Sequence, residues 1–181
     1  MPRADIADRP GLCGGPAADR RASLVRSLLQ ADALVRVLDR LLEGGVEALT
    51  FKGPALSVLL HGDPAARECD DIDLLVRPAD LDRAVRIVEA AGFEPGIPGA
   101  ADPSRGTQAP FLRRDGLVLD LHWRLAPSYD TFTLDREDLL GEAMTVEVLG
   151  SPVRVLSPEH HFLYLCFHGG KSLWARMRWV E

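Results

Sequence analysis

The stretch Asp70-Asp71-Ile72-Asp73-Leu74-Leu75-Val76 decides how the rest of the chain is read. Three carboxylates fill four positions and run directly into an apolar segment of strand type. In a strand, residues i and i+2 point to the same face. Asp71 and Asp73 are therefore expected side by side, with Ile72 and Leu74 on the other face. Asp70, in the opposite phase, is expected to be dispensable. Adjacent carboxylates at the mouth of a buried strand repel each other, and protons or a cation must neutralise them. Hard oxygen ligands suit Mg²⁺. Acidic i,i+2 pairs also occur at Glu68/Asp70, Asp80/Asp82 and Asp135/Glu137. None of these heads an apolar run, so the strand context carries the signal and the spacing alone does not.

Working outward, Val46 to Phe51 reads as a short strand. Lys52-Gly53-Pro54 breaks it, and Pro54 suits the first turn of a helix running to about His61. Upstream, the stripe Leu24, Leu28, Ala31, Val35, Leu38, Leu42 has helical spacing between about Asp19 and Glu43. Gly44-Gly45 stops that helix. Residues 1–17 lack periodicity and read as a disordered tail. Downstream, Asp71 to Arg77 is the second strand. Pro78 opens a helix to Ala91, with Leu81, Ala84, Val85 and Val88 on one face and Gly92 as its stop. Residues 94–110 read as a flexible loop. Asp115-Gly116 between Phe111–Arg114 and Leu117–Trp123 is a hairpin signal. A helical turn is expected at Asp135–Glu142, then a second hairpin over Val146–Val155 turning at Gly150-Ser151. Ser157-Pro158-Glu159 starts a helix through His168. Gly169-Gly170 interrupts it, and residues 171–181 read as a helix cut short at Glu181. This order predicts an α+β (α/β) fold, a small mixed sheet flanked by N-terminal and C-terminal helices.

The 181 residues fit one domain over 18–156, preceded by the tail and followed by the start of a truncated helical segment, 157–181. A net charge of −6 argues against a protein that coats nucleic acid. Cys13, Cys69 and Cys166 show no CxxC spacing and imply no disulfide framework. A reducing cytoplasm is the simplest setting. No apolar stretch approaches the roughly 20 residues that span a membrane, and no secretory signal is read at the N-terminus. Of the 21 basic residues only Lys52 and Lys171 are lysines. Each either answers a local need or reflects base composition.

Four features could carry chemistry. The Phe51-Lys52-Gly53-Pro54 turn offers helix N–H groups and a charge to a phosphate, or is a plain turn with a surface lysine. Asp71 and Asp73 form the acidic pair. In Leu119-Asp120-Leu121-His122-Trp123, Asp120 and His122 share one face. They are either buried, and then need partners, or they lie in water on an edge strand. Arg67 holds a carboxylate or phosphate, or lies on the surface. Gly169-Gly170-Lys171-Ser172 hints at a phosphate loop, but Leu165 stands where a glycine is required. His160-His161 reads as a helix start rather than a metal site. Cys69 has no histidine partner to activate it.

Together these residues resemble the nucleotidyltransferase superfamily of the DNA polymerase β type. Within it the chain is most similar to the uncharacterised nucleotidyltransferases, through Phe51-Lys52-Gly53, Arg67 to Val76, Asp120-Leu121-His122-Trp123, Leu156-Ser157-Pro158-Glu159, His168 and Trp174-Ala175-Arg176. The likeness spans roughly residues 20–181. It departs in having Pro54 at the second small position, a longer gap from Gly53 to Asp71, and the extra acid Asp70. The resemblance implies transfer of a nucleoside monophosphate from an NTP, with ATP the expected donor, to an unidentified acceptor. Pyrophosphate would be released. It implies two Mg²⁺ ions, with Mn²⁺ as the alternative, on the catalytic and metal-binding carboxylates Asp71, Asp73 and Asp120. Lys52, Gly53, Arg67, His122 and Lys171 would bind the nucleotide. Two other readings stay open: a non-catalytic nucleotide- or partner-binding module on the same fold, and a metal-dependent phosphoesterase.

Overall fold

The computed structural model describes residues 16–126, Leu134 and residues 138–171. The elements in chain order are helix α1 (Pro16–Glu43), strand β1 (Ala48–Thr50), helix α2 (Gly53–His61) and strand β2 (Ile72–Val76). A 3-10 turn (Pro78–Asp80) then leads into helix α3 (Leu81–Ala90), followed by strands β3 (Phe93–Pro95), β4 (Gln108–Arg113) and β5 (Val118–His122). Strands β6 (Met144–Val148) and β7 (Ser151–Val155) and helix α4 (Pro158–Lys171) complete the described fold. The strands form one mixed sheet in the order β3-β4-β5-β2-β1-β7-β6. The α+β expectation holds, with β2 at the middle of the sheet.

Strand alternation sorts the core into two clusters. Ala48 of β1, Ile72, Leu74 and Val76 of β2, and Leu119 and Leu121 of β5 pack with α1 and α3 residues on one face. Leu49, Phe51 and Leu75 pack with Leu156 and Tyr164 on the other. Asp73 lies between Ile72 and Leu74, so period-2 geometry turns it toward the second face, with Leu75. On β2 and β5 the first face is apolar, and the polar groups of both strands are confined to the second.

Several sequence expectations are corrected. Helix α1 begins at Pro16, inside the expected tail; residues 1–15 lie outside the described residues. Its buried face is Ala31, Leu34, Val37 and Leu41, whereas Leu24, Leu28 and Leu42 of the expected stripe are exposed. Both sets have helical periodicity, and packing against α3 and the sheet chooses between them. The 94–110 loop is partly ordered: Phe93–Pro95 pairs with Phe111–Arg113, and β4 starts at Gln108. The turn of the β6–β7 hairpin is Leu149-Gly150, one residue earlier than expected, with φ of 52° and 80°. The Asp135–Glu142 expectation falls partly outside the described residues; 138–142 form turns, not a helix. Helix α4 runs through Gly169-Gly170 without interruption, which also removes the phosphate-loop reading. Residues 172–181, including the Trp174-Ala175-Arg176 region, lie outside the described residues. No helix among the described residues is long and apolar enough to cross a membrane.

Candidate active site

The parallel pairing of β2 with β5 sets Asp73 directly beside Asp120, and Leu75 beside His122. Neighbouring strands lie about 4.8 Å apart, so this register alone brings the two carboxylates together. Ligand atoms of Asp73, Asp120 and His122 all lie within 4.8 Å of one another. His122 is buried, so the edge-strand-in-water alternative fails: β5 is an inner strand, flanked by β4 and β2.

Asp73 is completely buried. Its Oδ1 accepts from Lys52 Nζ at 2.9 Å and lies 3.0 Å from His122 Nε2. Burial alone would push its pKa up, but the hydrogen bond with His122 and the Lys52 ammonium hold it below the usual carboxylate value. Its other oxygen, Oδ2, is buried with no hydrogen-bond partner among the described residues. Burial works against the Lys52 charge too, yet the Asp73 carboxylate raises its pKa above the ordinary lysine value. The alternative of a plain turn with a surface lysine fails: the Lys52 side chain is 11% exposed.

Asp71 sits one residue before β2, half-buried, and is not part of the converging group, where His122 takes the third position. It still feels the site. Burial and the Asp73 charge push its pKa to about 6 from the ordinary 3.8, against the opposing pull of Lys52. Burial also raises Asp120, and Gln108 Nε2 donates to Asp120 Oδ2 at 2.6 Å.

The Gly53 turn is built against these acids. Lys52 is the N-cap of α2 in an extended conformation, and Pro54 occupies its first turn. Gly53 has φ of +60°, and a Cβ there would lie 3.2 Å from the Asp71 carbonyl oxygen. Only glycine fits both the left-handed backbone and the close approach. Arg67 is half-buried in the loop before β2, where its carbonyl accepts from the Cys69 thiol. Burial pushes that thiol up to about 11, which rules out a thiolate nucleophile at neutral pH. Asp70 is exposed. Lys171 closes α4; its side chain lies outside the described residues. Trp123 is structural: its Nε1 donates to the Gly106 carbonyl at 2.7 Å and pins the loop before β4.

Two residues outside the expected site set complete the site, both on α4: Tyr164, and His161, which the sequence placed only at a helix start. Tyr164 is buried with its ring edge against Phe51, centroids 4.9 Å apart. His161 Nε2 lies 2.7 Å from the Phe51 carbonyl oxygen. His168 stacks on Tyr164 at 5.9 Å. The spacing 161, 164, 168 is one helical face, a signal present in the sequence but indistinguishable there from ordinary core packing.

The profile of the family described as uncharacterised nucleotidyltransferases matches residues 17–180. The chain belongs to this family. No curated protein matches it. Solved structures of similar fold include the lincomycin-bound lincosamide antibiotic adenylyltransferase LnuA, at 17% identity and a TM-score of 0.57 over 77% of this chain and 86% of that one. The antibiotic-resistance factor ANT(2'')-Ia is 20% identical, with a TM-score of 0.59 over 80% and 74% of the two chains. A putative nucleotidyltransferase from Thermotoga maritima, TM1012, is 19% identical, with a TM-score of 0.52 over 88% and 94%. At these identities the likeness establishes the nucleotidyltransferase fold; the family match stands on the sequence itself.

Proposed function

We propose that this nucleotidyltransferase moves a nucleoside monophosphate from an NTP to an acceptor hydroxyl. The observation that carries the reading is the β2–β5 register, which sets Asp73 beside Asp120 within reach of the Lys52–Gly53 helix start. The acceptor oxygen attacks the α-phosphorus, and the bond to the bridging oxygen breaks. That electron pair leaves with pyrophosphate. Asp120, made more basic by burial, is placed to take the acceptor proton. Lys52 and the N–H groups at the start of α2 neutralise the β and γ phosphates. Arg67, His122 and Lys171 extend the nucleotide-binding set.

The donor set fits a divalent cation. The orphaned Asp73 Oδ2, the raised Asp71 and the Asp73–Asp120–His122 convergence all call for positive charge. Oxygen donors dominate, as Mg²⁺ or Mn²⁺ prefers. Asp71, Asp73 and Asp120 would hold two such ions, which would offset the triphosphate charge and acidify the acceptor hydroxyl.

A non-catalytic nucleotide-binding module is the second reading. It is favoured by one observation: Lys52 and His122 already engage Asp73 Oδ1 without any metal. The adenylyltransferase activity named for LnuA makes ATP the first donor to test, and hydroxylated small molecules the first acceptors. The deciding experiment measures Mg²⁺-dependent pyrophosphate release from each NTP for wild type and Asp73→Asn. Release by wild type that disappears in the variant supports transfer. NTP binding without release, across the acceptor panel, supports the module.

A further inference from the structure

We infer that helix α4 is a working part of the site, with His161 and Tyr164 as positioning residues that hold Lys52 on its carboxylate partner. The inference rests on the transfer reading only for what Lys52 meets during turnover.

Phe51 directly follows the last residue of β1, and its carbonyl belongs to the peptide that carries the Lys52 amide. His161 is 3% exposed. Its Nε2 lies 2.7 Å from the Phe51 oxygen and its Nδ1 lies 3.2 Å from the Leu156 oxygen. Burial lowers the pKa of this ring against the pull of both carbonyls, which keeps it neutral. A neutral imidazole has one N–H, and the shorter contact claims it. His161 therefore donates to Phe51, and α4 is tied to the backbone just before the Gly53 turn.

One helical turn later, Tyr164 closes the same corner from the side-chain direction. The Lys52 ammonium lies 5.8 Å from the Tyr164 ring centroid and 5.5 Å from that of Phe51, within cation–π range of both. The Tyr164 hydroxyl interacts with the same ammonium, and burial pushes the phenol up to about 12, so it stays protonated with an oxygen able to accept. A free lysine samples many rotamers on its four-carbon stem. Here two rings, one hydroxyl and Asp73 Oδ1 restrict it to one place. None of these groups needs to touch substrate; they act through Lys52.

The chain itself supplies the probe, because Lys52 and Lys171 are its only lysines. Acetylation rates at each are read by mass spectrometry in wild type, Tyr164→Leu, His161→Asn and His161→Gln. Gln places an amide N–H near the Nε2 position, whereas Asn reaches only toward Leu156. We expect His161→Asn and Tyr164→Leu to speed Lys52 acetylation about tenfold, the equivalent of one lost hydrogen bond. Lys171 should be unchanged, and His161→Gln should match wild type. In the same variants the KM for the NTP should rise about tenfold, with a smaller change in kcat. Equal acceleration at both lysines, or in the Gln and Asn variants alike, marks general loosening and overturns the inference. So does an unchanged Lys52 rate in Tyr164→Leu and His161→Asn. A wild type that releases no pyrophosphate but shows the expected labelling pattern removes the transfer reading and leaves the positioning role standing.

Discussion

Lys52 and Asp73 form a buried ion pair, Nζ to Oδ1 at 2.9 Å, with side chains 11% and 0% exposed. The pair links the helix-start turn after β1 to the central strand, and it sets the charge state of everything around it. Its worth is conditional. Desolvating both ions costs nearly as much as their attraction returns, so removing one partner is far more damaging than replacing both.

Asp73→Ala should therefore lower unfolding stability by about 3 kcal/mol, because it leaves Lys52 buried without its counter-charge. The double variant Lys52→Met/Asp73→Leu should recover most of that loss, and neither should release pyrophosphate. Urea denaturation checks the first statement and a pyrophosphate assay the second. Full activity in the double variant would sink the assignment of both residues.

Asp71 carries the pH dependence. Its pKa is raised to about 6 from 3.8, so between those values the folded state binds more protons than the unfolded state. Stability is then fullest below about pH 4 for this group and falls as pH rises through about 6. Divalent-metal affinity should move the opposite way, rising to a plateau above about pH 6 as the carboxylate ionises. Asp71→Asn should flatten the stability slope in this window and raise the melting temperature at neutral pH. Calorimetric scans and Mn²⁺ titrations at several pH values test both signs.

Gly53→Ala places a Cβ on a φ of +60° and 3.2 Å from the Asp71 carbonyl. The left-handed conformation alone should cost about 1–2 kcal/mol. Because the strain falls next to Lys52, the KM for the NTP should rise as well. A variant with wild-type melting and wild-type KM would show that the turn tolerates a side chain.

Leu149 offers a stability test away from the site. It is half-exposed and adopts φ of 52°, where a branched aliphatic residue is strained and asparagine is at ease. Leu149→Asn should raise unfolding stability by about 1 kcal/mol and leave pyrophosphate release unchanged. Chemical denaturation of the two proteins decides it.

The strands of the core were legible because their signals are local. Ile72-Asp73-Leu74-Leu75-Val76 has the length and composition of a buried strand, and Asp115-Gly116 supplies a turn with the right backbone freedom. The Lys52-Gly53-Pro54 break was legible for the same reason. Helix α1 was harder. Its apolar residues surround more of the helix than one face, so periodicity could not say whether Leu34 or Leu38 points inward. Gly169-Gly170 misled in the other direction, since tertiary packing holds glycines in a helix that propensity alone would end.

The chain's own residues determined that a carboxylate-bearing strand would follow a glycine turn, that a second strand would carry Asp120 and His122, and that both belong to a nucleotidyltransferase. They could do so because strand phase and turn chemistry depend on neighbours a few residues away. Only the tertiary structure decided which groups meet. The parallel register of β2 and β5 selected Asp73, Asp120 and His122 as the converging set and left Asp71 at its edge. The docking of α4 placed His161 and Tyr164 on Phe51 and Lys52, across more than a hundred residues. Those contacts follow from how two faces of a sheet are covered, and no spacing along the chain encodes that choice.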